Sequence, residues 1–294
     1  MRPVVLATVV LFAMQPAGAK LGAQSVAAFD SIAARAAAAS ARFADRRVAV
    51  ADGYRRVGTD FPGMGEHWLN PDLLMHGSID ATRPSLLIYA TVNGAPALLG
   101  VGFVAVTRGD SAPVSLPGWP TNWHEHSGLL SDESGGGAAR HEMARPTTHV
   151  WVSHVWTMLA NPDGRYTPDN WALPFARAGL RAPPGVDADA GRALSLAVGG
   201  DDYLRAVLAD AGLRSGRDSE GVDSAIAAAR RRAEAVIRSA RGAGDVSESD
   251  VVALRRSWQS LRGELRAALG PEVETVLAPA HAHHAMPHDP TDRP

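Results

Sequence analysis

The segment Trp123-His124-Glu125-His126 carries two imidazoles two residues apart. In an extended strand such residues share one face, so both rings can approach a single ion. Imidazole is the commonest side-chain ligand for transition metals and titrates near neutral pH. A zinc ion held this way sits about 2.0–2.1 Å from each ring nitrogen. A second cluster, Gly63-Met64-Gly65-Glu66-His67-Trp68-Leu69-Asn70-Pro71, sets His67 at a glycine-flanked turn, where bare backbone admits close approach to a ligand. A third, His149-Val150-Trp151-Val152-Ser153-His154, reads as a strand. Its two histidines are five residues apart and face opposite sides, so without a bulge only one of them can join a shared site. His281, His283, His284 and His288 crowd the C-terminal tail, a compositional metal binder separate from any folded site.

Several chemistries are excluded. There is no cysteine, hence no disulfide, no thiolate nucleophile and no Cys-ligated zinc. The only lysine is Lys20, so the rest of the chain offers no Schiff-base or phosphate-loop lysine. No G-x-S-x-G elbow and no complete H-E-x-x-H is present. A net charge of -2 gives no overall field for nucleic acid, which is not an expected partner. Gly118, five residues and then His124-x-His126 resembles the opening of the first cupin motif. The acidic ligand due three or four residues after His126 is missing, however; the nearest acids are Asp132 and Glu133.

A longer pattern runs through Ala51-Asp52-Gly53-Tyr54, Gly63-Met64-Gly65-x-His67-x-x-Asn70-Pro71, Asp80-x-x-Arg83-Pro84 and Leu87-x-Tyr89. It continues with Leu98 to Val101, His149-Val150-Trp151, Asn161-Pro162-x-Gly164 and Asn170. Over roughly residues 45 to 171 this resembles a family of uncharacterised exported bacterial proteins, whose pattern would place proline where Trp171 stands and includes a downstream cysteine that is absent here. The resemblance implies a shared site rather than a reaction, and it favours His149 over His154. The expected ligand set is then His67, His124, His126 and His149, holding a divalent metal, zinc or copper. His76, His141 and His154 are expected to lie outside it. Two other readings stand beside metal binding. A metal-dependent enzyme, a hydrolase or oxidoreductase, would use an open coordination position on the same ion, with Glu66 or Glu125 as base. A metal-free binding or assembly protein would line an apolar pocket for a small molecule with Trp68, Trp123 and Trp151.

The elements that must position these residues follow from patterning. Met1-Arg2-Pro3, an apolar run to Met14 and the small residues at Ala17-Gly18-Ala19 and Leu21-Gly22-Ala23 read as a signal peptide over 1–23. The expected location is therefore periplasmic or extracellular, with no transmembrane segment in the mature chain. Residues 24–58 read as one long helix, with Phe29, Ile32, Ala36, Phe43, Val50, Tyr54 and Val57 on its stripe. Residues 59–182 form the His- and Trp-rich core, in which Asn93-Gly94 joins a hairpin of 85–92 with 97–106 and 147–158 is a third strand. Residues 183–278 are helical. A stripe over 219–240 and a seam of Val251, Leu254, Trp258, Leu261, Leu265 and Leu269 should pack as an antiparallel hairpin, and such stripes also admit a homo-oligomer. Residues 279–294 form a disordered, His-rich tail. The fold class is α+β: a small antiparallel β core flanked by a long N-terminal helix and a C-terminal helical hairpin.

Overall fold

The structure, a computed structural model, describes residues 30–75, 79–108, 111–113, 122–125, 148–213 and 219–277. Residues 1–23, expected to be a signal peptide, His76, His126, His141 and the His-rich tail over 279–294 lie outside these residues.

The chain is α+β. Its β half is one antiparallel sheet in the order β1-β2-β3-β4-β6-β5, built from β1 (Arg55–Phe61), β2 (Gly65–Leu69), β3 (Leu86–Val92), β4 (Ala95–Arg108), β5 (His124–Glu125) and β6 (Thr148–Val155). The β3–β4 hairpin turns at Asn93-Gly94, both with positive φ (52° and 78°), as a two-residue primed turn requires. Pro96 does not delay the second strand. It enters β4 opposite Thr91, and a register shift follows between Ile88 and Tyr89.

The N-terminal helix is shorter than its stripe suggests. Helix α1 covers 30–40, and a 3₁₀ turn, Ala41–Ala44, follows. Asp45, in an extended conformation, then caps a separate α2 (Arg46–Ala51) by accepting from the Arg47 N–H. Positions 55–57, expected to be helical, open β1 instead. Ile32, Ala33, Ala36 and Phe43 are buried against one face of the sheet, together with Leu87, Tyr89, Val101, Phe103, Trp123, Trp151 and Val155. Trp68 packs against the same cluster. The three tryptophans expected to line a pocket are therefore part of a filled core.

After α3 (Pro71–Met75), which follows β2, the helical half carries α4 (Leu173–Arg177), α5 (Ala188–Ser195), α6 (Gly200–Asp210), α7 (Ser219–Ala243), α8 (Glu248–Leu269) and α9 (Val273–Leu277). Ser247 and Asp250 form a capping box at the start of α8. Every seam residue from Val251 to Leu269 is buried, and α8 packs on both α7 and α5. Among the described residues no helix is long and apolar enough to cross a membrane.

Candidate functional site

Side-chain alternation assigns the second face of the sheet. His67 pairs with Ile88 and Ile88 with Gly100, while Leu86 pairs with Gly102 and Gly102 with His154. His124 pairs with Val152. His67, His124 and His154 thus share one face with Ile88, Leu86, Val104 and Val152. All three rings are buried, with 1%, 5% and 0% of their surface exposed.

On a flat sheet, β2 and β6 would lie about 14 Å apart, three strand spacings. The imidazoles of His67 and His154 nevertheless touch: their Nε2 atoms are 3.2 Å apart, and the rings stack with centroids 5.2 Å apart. The sheet must therefore curl around this face. Gly100 and Gly102 make room for it. A Cβ on Gly100 would lie 2.7 Å from the Val155 carbonyl oxygen, and one on Gly102 would lie 2.8 Å from a Leu86 methyl. The His124 ring meets His154 edge-on at 4.8 Å. His154 is thus the centre of the group, not outside it as the sequence had suggested.

The proton positions follow from partners. His154 Nδ1 lies 2.8 Å from the Pro168 carbonyl oxygen, which can only accept, so Nδ1 carries a proton. In the neutral ring Nε2 is then a lone-pair donor atom facing His67 Nε2. A histidine with one nitrogen hydrogen-bonded to a backbone carbonyl and the other presented to a shared point has the usual support of a metal-ligating imidazole.

The loop that offers Pro168 is held by asparagines. Asn161 Nδ2 donates to Thr167 Oγ1 and to the Asp169 carbonyl oxygen, both at 2.7 Å. Asn170 donates its backbone N–H to Gly63 O at 2.7 Å and its side-chain amide to the Leu159 and Ala160 carbonyls. The Asn161 and Asn170 turns are accordingly the scaffold of His154. The glycines before His67 also have a structural role. Gly65 has φ 78°, and a Cβ there would lie 2.4 Å from Tyr89 O, so close β2–β3 pairing demands glycine. The segment read as a flexible turn is mostly strand β2, which fixes His67 in register.

The other described candidates lie elsewhere. His149 faces the opposite side of β6, where its Nδ1 lies 2.6 Å from Glu125 Oε1. Strand alternation separates it from His154; the resemblance favoured His149, whereas His154 is the one that lies beside His67 and His124. Glu66 also faces away from His67. It is ion-paired with Arg46 and Arg56 and accepts from Trp68 Nε1 at 3.1 Å. Neither candidate base is therefore directed at the three histidines. Among the described residues no group of three or more His, Asp or Glu side chains that could hold a metal ion is found; the two nitrogens that converge are those of His67 and His154.

A second feature adjoins the group. Phe61 meets the His67 ring edge-on at 5.7 Å and the Tyr203 ring at 5.8 Å. Beyond it lies a cavity of about 240 Å³ lined by Phe61, Asp169, Trp171, Arg192, Tyr203 and Trp258. Burial pushes the Asp169 carboxyl up to about 6, with Arg192 opposing the rise and Asp163 adding to it. Because the folded value lies above the ordinary 3.8, Asp169 weakens the fold above about pH 6, and the penalty disappears as pH falls toward 4. Asp169→Asn should therefore stabilise the protein by up to about 3 kcal/mol near pH 7.5, at 1.36 kcal/mol per unit, and by little near pH 4. Urea unfolding at the two pH values measures the difference.

Comparison with family models, with curated proteins and with solved structures finds no match for this chain.

Proposed function

We propose that this protein binds a divalent transition metal, zinc or copper, through His67 and His154, with His124 as the third imidazole. The observation that carries the reading is the 3.2 Å separation of the two buried Nε2 atoms. An ion bonded to both at about 2.0–2.1 Å would subtend about 100–106° at the metal, close to the tetrahedral angle. Zinc accepts imidazole nitrogen in tetrahedral sites, and the Pro168 carbonyl supplies the outer hydrogen bond that fixes the His154 tautomer. Without metal, the same atoms form an N–H···N hydrogen bond from His67 to His154, which keeps the pair together until an ion displaces the proton.

Binding is favoured over catalysis by the carboxylates. Glu66 and Glu125 are engaged on the opposite face by arginines and by His149 respectively, so neither is placed to deprotonate a metal-bound water.

The test is the metal content of protein lacking residues 279–294, which removes the tail histidines. After dialysis against zinc or copper at pH 7.5 and removal of free ion, stoichiometric retention is expected. A metal-free protein under both conditions would refute the reading.

A further inference from the structure

Arg192 lies in the wall of the 240 Å³ cavity with its guanidinium carbon 5.0 Å from the Trp171 ring centroid and 6.0 Å from that of Trp258. Among the described residues this guanidinium makes no hydrogen bond or ion pair, and the Asp169 and Asp189 carboxylates act on it only through their charge. Arginine has five donors in a rigid fork that matches a carboxylate, and such charge-assisted bonds are about twice as strong as neutral ones. The two indoles already restrict the side chain, so little further ordering is needed on binding.

We propose that this cavity binds a small aromatic monocarboxylate, with the carboxylate on Arg192 and the ring among Phe61, Trp171, Tyr203 and Trp258. The size sets the class. Pockets for drug-sized ligands are roughly 300–1,000 Å³, so a cavity of about 240 Å³ admits one ring or a fused pair and little more. The walls set the ring, since offset and edge-on aromatic contacts add to apolar burial. Asp169 sets the charge: a second acidic group in the same wall disfavours a dianion such as phosphate more than a single carboxylate seated on Arg192. Arg192, Asp169, Tyr203 and Val207 are only partly buried, so the cavity reaches solvent. The proposal does not depend on metal at the histidines.

Calorimetric titration of the full chain, stripped of metal with a chelator, with phenylacetate and indole-3-acetate and with their neutral amides tests it. At least one acid should bind about tenfold or more tightly than its amide. Arg192→Met should abolish the preference for the acid. Val207→Phe, which fills the cavity from α6, should weaken acid and amide together. The proposal is overturned if neither acid binds at millimolar concentration, if acid and amide bind equally, or if Arg192→Met leaves the preference intact. Should Arg192→Met fail to fold, the acid–amide comparison and Val207→Phe still decide, since unaltered binding in the filled cavity equally refutes the site.

Discussion

In protein lacking residues 279–294, His154→Ala should lower zinc affinity by about 100-fold or more in calorimetric titration. Loss of a partner that merely orients a metal-bound histidine already costs about 10–100-fold, and His154 is argued to be a ligand itself. His154 is the hinge of the arrangement: its Nε2 faces His67 Nε2, its ring abuts His124, and its Nδ1 is anchored on Pro168. His67→Ala should have a similar effect, and His124→Ala a smaller one of about tenfold, since its place can be taken by water. His149→Ala, on the other face with Glu125, should leave affinity unchanged. Because protons compete for imidazole, affinity should also fall as the pH is lowered. Equal affinity of His154→Ala and the parent would remove the site, and a loss confined to His149→Ala would move it to the opposite face.

Trp258→Ala should destabilise the protein by about 3–5 kcal/mol in denaturant unfolding, without changing metal stoichiometry. The indole is 4% exposed and sits at the middle of the α8 seam, within a core shared with α5, α7 and α9. Removal forfeits its own burial and the support it gives Arg192. The histidines lie on the sheet and Trp258 in the helical core, so the effect should fall on stability alone. A variant that unfolds at the parent's denaturant concentration would show that this side chain is not part of the core.

The helical half was legible because its signals are local. The stripe over 219–240 and the α8 seam both depend on residues a few positions apart. The Asn93-Gly94 hairpin was legible for the same reason, since only a primed turn matches the strand twist. The N-terminal stripe misled because Val50, Tyr54 and Val57 keep helical spacing while Asp45 starts a new helix and Gly53, at φ 98°, ends it. Strands β1 and β2 were missed because their glycines and charges read as a turn, whereas Gly65 serves a backbone contact with Tyr89. The site was half legible. Strand alternation correctly separated His149 from His154, and His67 and His124 do share a face. Which of the pair belonged with them depends on the curl of the sheet, a property of several strands at once. Gly100-x-Gly102 was the available signal: two missing side chains on one face of an otherwise branched strand leave room for rings from its neighbours.

One ion is expected to lie between His67 Nε2 and His154 Nε2. Anomalous diffraction at the zinc edge from zinc-soaked crystals of the protein lacking residues 279–294 tests it most directly. A peak is expected about 2.0–2.1 Å from both nitrogens, with Pro168 O still accepting from His154 Nδ1. An intact 3.2 Å contact between the two rings with no anomalous peak beside it, at zinc concentrations that saturate other imidazole sites, would contradict it.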